Sequence, residues 1–181
     1  KTILLFFGMI KKVKGLDILL KSFSKIIDSN PDIVLLVAGK PWGNDFSVYQ
    51  DIIDKNNLAE NIILHTKYIP NNDVEYYYSA SDLVVLPYKK IYQSGVLMMT
   101  LSYNRPALLS DLLPLKEVIT DNENGFLFKS EDIDDLSEKL NCILSDKENL
   151  ERVRKNGYIL INEKFGWNNI GRLTKKAYQT L

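Results

Sequence analysis

The sequence has little of what usually announces chemistry. Its 181 residues include one cysteine, Cys142, and one histidine, His65. An internal disulfide and a cysteine–histidine zinc cluster are therefore excluded, no metal site is expected, and a Cys/His nucleophile pair has little to draw on. A lone thiol suits a reducing compartment better than a secreted one. No apolar run approaches the ~18 residues that span a bilayer. Charge of one sign is missing too: 23 Lys+Arg face 23 Asp+Glu, which removes the basic surplus of a dedicated nucleic-acid binder. One further gap is local, because no carboxylate occurs between Asp82 and Asp111. The chain also opens at Lys1 straight into an apolar run, as a piece of something larger would.

What is present is an ordinary globular composition, 45% hydrophobic and 25% charged. A chain of this length forms one domain and buries roughly 70% of its unfolded surface. Residues 2–7 (TILLFF) are apolar and end at Gly8, as a strand buried on both faces does. Leu16, Leu19, Leu20, Phe23, Ile26 and Ile27 recur at helical spacing before Asn30-Pro31 stops the helix. Residues 32–38 form a second apolar run closed by Gly39, so the unit is strand, helix and parallel strand with a right-handed crossover.

The pattern repeats. Helix is predicted over 45–57, strand over 61–66, and a short helix over 71–81 capped by Asn71 or Asn72. Strand follows over 82–87, helix over 94–103, strand over 106–110, short helix over 115–120 and strand over 125–128. From Glu131 onward the chain is helical, with breaks near Ser145 and Gly166. The predicted fold is α/β: a Rossmann-like, doubly wound parallel sheet of about six strands, helices on both faces, and a helical C-terminal segment. Ligands of such sheets bind beyond the carboxyl ends of the strands. That selects the loops 8–15, 39–44, 67–72, 88–95 and 111–114.

Two of these loops suit a phosphate. In the first, Lys11, Lys12 and Lys14 lie between Gly8 and Gly15, just ahead of a helix N-terminus whose free amides and dipole favour an anion. The loop has neither the dinucleotide nor the P-loop fingerprint, and a solvated basic turn is the alternative. In the other, Ser94 is a good N-cap and Gly95 lets a ligand approach the backbone, against the alternative of an ordinary capped helix. Elsewhere the residue patterns favour structural roles. His65 is expected packed in its strand and Cys142 buried on the Leu136, Leu140, Ile143, Leu144 helix. Tyr76, Tyr77 and Tyr78 point in three directions. Glu131, Asp132, Asp134 and Asp135 complement a helix dipole better than they make a metal site. The eight basic and four acidic residues from Ser145 onward suit a solvated helical face better than a membrane-contacting one.

The motifs also resemble a known family. The stretch F-F-G-x-I-x-x-x-K-G-L-D-x-L-L, from Phe6 to Leu20, is similar to the opening of the donor half of group 1 (family 4) retaining glycosyltransferases, which have the GT-B fold. In the same order come Val37-Ala-Gly39, Tyr68-Ile-Pro70 with residues 78–87 (YSASDLVVLP), Gln93-Ser-Gly-Val-Leu97 with Arg105-Pro106, Ser110-Asp111, Glu117-Val-Ile119 with Gly125-Phe-Leu127, and Phe165-Gly-Trp-Asn168. The resemblance implies that Lys11 and Lys14, within the loop from Gly8 to Gly15, bind a donor diphosphate. Met9 stands where the family more usually has Arg. It implies that amides at Ser94, Gly95 and Val96, after Gln93, hold the distal phosphate and sugar, and that the base lies near Tyr68 and Ile69. The donor would be a nucleotide diphosphate sugar of UDP or GDP type, with no separate cofactor.

The family's paired glutamates fall at Ile91 and Met99, so neither is present. In the family they bind the donor sugar and the ribose hydroxyls; a charged hydrogen bond contributes roughly 1.5–3 kcal/mol, so losing both alters donor recognition. A branch with Gln-Ser-Gly-Val-Leu departs in the same way.

The resemblance further implies a preceding acceptor domain absent from these 181 residues, with residues 1–181 as the nucleotide-sugar-binding domain. The isolated fragment is then expected to be inactive, because the reaction lies between the halves. The role implied is transfer to a glycan or lipid-linked acceptor in polysaccharide biosynthesis. It would be cytoplasmic, with any peripheral contact at the inner face of the membrane made through the missing domain. A degenerate, non-catalytic scaffold module and another GT-B enzyme, such as a nucleotide-sugar epimerase, are the competing readings.

Overall fold

The computed structural model describes residues 1–179; Thr180 and Leu181, the end of the helical tail, lie outside the described residues. Strand β1 (Thr2–Phe7) shows why both faces of the sheet are covered. Its pleat sends Leu4 and Phe6 into one apolar cluster and Leu5 and Phe7 into another. Fully burying one such side chain is worth roughly 1.5–3 kcal/mol, so an uncovered face would be costly. The other strands are β2 (Ile33–Ala38), β3 (Ile62–His65), β4 (Leu83–Leu86), β5 (Ala107–Ser110) and β6 (Phe126–Phe128).

All pairings are parallel and the order is β3-β2-β1-β4-β5-β6. Winding runs outward from β1 through β2 to β3, then returns to the other side at β4. The loops after β1 and β4 therefore leave neighbouring strands in opposite directions and open a crevice between them. These are the two loops that the sequence marks as suited to a phosphate.

The helices are α1 (Leu16–Ile26), α2 (Ser47–Lys55), α3 (Val74–Ala80), α4 (Gly95–Ser102), α5 (Leu113–Lys116), α6 (Ile133–Ser145), α7 (Lys147–Phe165) and α8 (Trp167–Gln179). Side chains of α1 and α6 join the first apolar cluster, those of α3 and α4 the second, and α7 contributes Val153 to one and Ile161 to the other. Asp132 caps α6 by accepting from the N–H groups of Asp134 and Asp135, the helix-opening role expected of this acidic run.

Four local expectations are corrected. Neither Asn71 nor Asn72 caps α3: residues 71–73 form a 3₁₀ turn, closed by Asp73 N–H donating to Pro70 O at 2.9 Å, and Asp73 precedes the helix without a side-chain bond. Helix α5 starts two residues before the expected 115, because Pro114 sits in its first turn, where a missing N–H costs nothing. His65 is exposed, since β3 is an edge strand, and its Nδ1 lies 2.9 Å from Tyr77 Oη. Cys142 is exposed as well. Leu136, Leu140 and Ile143 define the buried stripe of α6, and position 142 lies two residues, or about 200°, from Leu140. The three tyrosines do point apart: Tyr78 is fully buried, Tyr77 partly buried and Tyr76 exposed.

Candidate functional site

The loop after β1 is fixed at both ends. Gly8 N–H donates to Ala38 O at 2.9 Å, continuing the β1–β2 ladder past the strand. Lys12–Lys14 then form one 3₁₀ turn, and Gly15, at φ 71°, turns the chain into α1. Gly15 is required for two reasons. Its φ is left-handed, and a Cβ there would lie 1.8 Å from the carbonyl oxygen of Pro87. The loops after β1 and β4 are thus in backbone contact, and Lys89 N–H adds a bond to Val13 O at 2.9 Å.

The side chains extend this join. Lys14 Nζ donates to Tyr88 Oη at 3.2 Å and lies 4.6 Å from the centre of its ring. Tyr88 Oη is in turn 3.2 Å from Ser94 Oγ, which accepts from Leu97 N–H at 3.1 Å as the N-cap of α4. A continuous chain of contacts therefore runs from a lysine of one loop to the helix start of the other. Burial, and secondarily Lys11, hold the Lys14 ammonium below the ordinary lysine value. Such a half-buried cation with a cationic neighbour is poised to gain from an anion. Burial pushes the Tyr88 hydroxyl up to about 12, with the Ser94 contact opposing, so it keeps its proton.

At α4 the Leu97 N–H bonds the Ser94 side chain and the Met98 N–H bonds the Ser94 carbonyl. The amides of Gly95 and Val96 are those left for a ligand. Gly95 is exposed, and a Cβ there would meet nothing within 4 Å. Val96 packs beside Gly8, its Cγ2 3.5 Å from the place a Gly8 Cβ would take. Lys11 Nζ stands 4.3 Å from the centre of the exposed Trp42 ring. The ring steadies the ammonium without neutralising it.

Of the residues singled out in the sequence, Gly8, Lys14, Gly15, Ser94, Gly95 and Val96 come together at the β1/β4 crevice, and Lys11 lies on the same loop. Gln93 is exposed just before the cap. Tyr68 and Ile69 follow β3, two strands away; Tyr68 is exposed, whereas Ile69 is buried in the second apolar cluster. Ile91 and Met99 pack against that same cluster, so both positions offer hydrocarbon where carboxylates are missing. The acids close to the crevice are engaged. Asp17 pairs with Lys89 at 2.8 Å, and Asp111 accepts from Ser130 N–H at 2.9 Å. Tyr88, Asp17 and Lys89 go unmarked in the sequence, since their partners come from distant segments. Only Tyr88's position at the end of a buried strand could have suggested it.

A sizeable cavity lies elsewhere. About 710 Å³ in volume, it opens at the amino ends of the strands between Lys1, Asp82, Arg105 and Arg154. Its charges are mixed, with Asp32, Asp82 and Glu151 against Lys1, Arg105, Lys147 and Arg154.

Residues 1–159 match the family described as Glycosyl transferases group 1. Spore coat protein SA of Bacillus subtilis (strain 168) is 24% identical over 189 residues, spanning 99% of this chain and 49% of that protein. The C-terminal domain of the glycosyl transferase group 1 family protein LpcC from Francisella tularensis aligns with a TM-score of 0.81 at 22% identity, over 92% of this chain and 87% of that one. HepE from Anabaena, in complex with UDP, aligns with a TM-score of 0.87 at 15% identity, over 99% of this chain and 49% of that one. The likeness to these two structures shows the fold alone. The chain spans about half the length of the curated relatives it matches.

Proposed function

Because the chain belongs to the group 1 glycosyl transferases, we propose that it is the donor-binding half of an enzyme transferring a sugar from a nucleotide diphosphate sugar to a glycan or lipid-linked acceptor. The observation that carries this reading is the join of Lys14, through Tyr88, to the N-terminus of α4 at the sheet's switch point. Two phosphates need charge and donors from two sides, and the two loops supply one side each. HepE was solved with UDP. A uridine or guanosine diphosphate is the class of leaving group that we assign to this crevice.

The work of this half is to hold the diphosphate and neutralise it as it leaves. Lys14 gains most, since a phosphate oxygen offsets both the burial of its ammonium and the repulsion from Lys11. The Gly95 and Val96 amides add donors that need no reorganisation. Each charge-assisted bond is worth about 1.5–3 kcal/mol. We take the transfer to be retaining, with no covalent intermediate on the protein. The acceptor half precedes these residues, and the fragment alone is inactive. The enzyme works in the cytoplasm in polysaccharide assembly, and any contact with the inner face of the membrane is made by that half. Among the described residues, no helix is long and apolar enough to cross a membrane.

Ile91 and Met99 favour one competing reading, a binding module that has lost donor chemistry. Calorimetric titration of the 181-residue chain with UDP and GDP separates the two. Saturable binding of one of them, weakened at least tenfold by Lys14→Ala, is expected for a donor site; no heat with either supports the module.

A further inference from the structure

We propose that Tyr88 is a positioning residue whose hydroxyl takes a hydrogen bond from Lys14 and passes one to Ser94, leaving the Ser94 hydroxyl proton free for the diphosphate. The inference rests on the donor-site reading above and adds a donor and a direction to it.

The argument is a count of protons and lone pairs. An ammonium has three donors and no lone pair, so at the Lys14–Tyr88 contact of 3.2 Å the tyrosine oxygen accepts. Tyr88 is fully buried, and among the described residues its hydroxyl oxygen has two side-chain partners, Lys14 and Ser94. Its single proton is assigned to Ser94 Oγ, 3.2 Å away, because the reverse direction would leave a buried hydroxyl proton without an acceptor. Ser94 Oγ already accepts from Leu97 N–H, so both of its lone pairs are taken and, among the described residues, its own proton is left without an acceptor. Ser94 lies beside Gly95, where the surface is open. Burial keeps Tyr88 protonated, which preserves the polarity.

The arrangement has two consequences. Lys14 is held against the helix start and not left to extend into solvent, so its charge and the α4 amides converge on one place. Ser94 also becomes a donor to the ligand, although a serine N-cap ordinarily spends its oxygen on the helix alone. The groups that bear on Lys14 are Lys11 from its own loop and Tyr88 from the other, with Ser94 one contact further; Asp17 nearby is paired with Lys89.

Tyr88→Phe removes the hydroxyl and keeps the ring. UDP or GDP, whichever the wild-type chain binds, is titrated into wild type, Tyr88→Phe, Lys14→Met and the double variant. Lys14 is followed by NMR with ¹³C-labelled lysine. The expected result is affinity lowered about tenfold by Tyr88→Phe, with no further loss when it is added to Lys14→Met. Lys14 in Tyr88→Phe should also titrate at still lower pH, having lost an acceptor that favours its charged form. Undiminished affinity in Tyr88→Phe, an equal loss in the Lys14→Met background, or an unchanged Lys14 titration overturns this inference alone. A wild-type chain that binds neither nucleotide overturns the donor reading and this inference with it.

Discussion

At the scale of residues, the crevice concentrates positive charge that the total composition hides. Lys14 is held below the ordinary lysine value by burial and by Lys11. A bound anion favours the ammonium, so binding takes up protons above that lowered value. Diphosphate affinity should therefore fall as pH rises through that lowered value. Lys14→Arg, whose guanidinium stays charged, should flatten the profile even where it weakens binding. The ligand-free protein should behave in the opposite sense. Its unfolded chain binds the Lys14 proton up to the ordinary value, so stability rises with pH between the lowered and the ordinary value. An unfolding series over that range checks this against Lys14→Met, which should lose the rise. Lys14 and Ser94 are legible in the sequence because glycines and an N-cap punctuate their loops. Tyr88 is not, because its role depends on a contact 74 residues away. Cys142 and His65 are exposed despite apolar neighbours in sequence, because Cys142 lies off the buried stripe of α6 and β3 is an edge strand.

At the scale of elements, strands and long helices could be read closely because apolar periodicity follows burial. Boundaries differ where a backbone turn replaces an expected side-chain cap, as at 71–73, and where Pro114 moves a helix start. Two glycines show how packing, not propensity, sets the joins between elements. Gly15 and Gly43 both have positive φ, 71° and 74°, but a Cβ meets Pro87 O at 1.8 Å in the first case and nothing within 4 Å in the second. Gly43→Ala should therefore cost only the backbone strain of about 1–2 kcal/mol. Gly15→Ala should cost clearly more and part the two phosphate loops. In α7, Gly157→Ala gains about 1 kcal/mol of helix propensity. Its Cβ would lie 2.8 Å from Leu101 Cδ2 and 2.9 Å from the Asn124 carbonyl oxygen. Overpacking of this kind costs about 1–3 kcal/mol, and the backbone oxygen is slow to yield, so net destabilisation is expected. Urea unfolding of the three variants measures each difference.

At the scale of the whole molecule, strand order converts separate loops into a site. β1 and β4 are 79 residues apart at their first paired positions, Leu4 and Leu83, yet they are neighbours in the sheet. Only the reversal between them brings Lys14 to Ser94. The alternation of strands and helices makes that reversal foreseeable as a fold class, whereas the Lys14–Tyr88–Ser94 contacts needed three dimensions. The competing location is the 710 Å³ cavity at the opposite edge, mixed in charge. Amide chemical shifts of the ¹⁵N-labelled chain, followed as UDP or GDP is added, decide between them. Binding at the switch point predicts saturable shifts clustered at 8–15 and 94–96, with Arg105 and Arg154 unmoved. Shifts centred on Arg105 and Arg154, or none at saturating nucleotide, would contradict it.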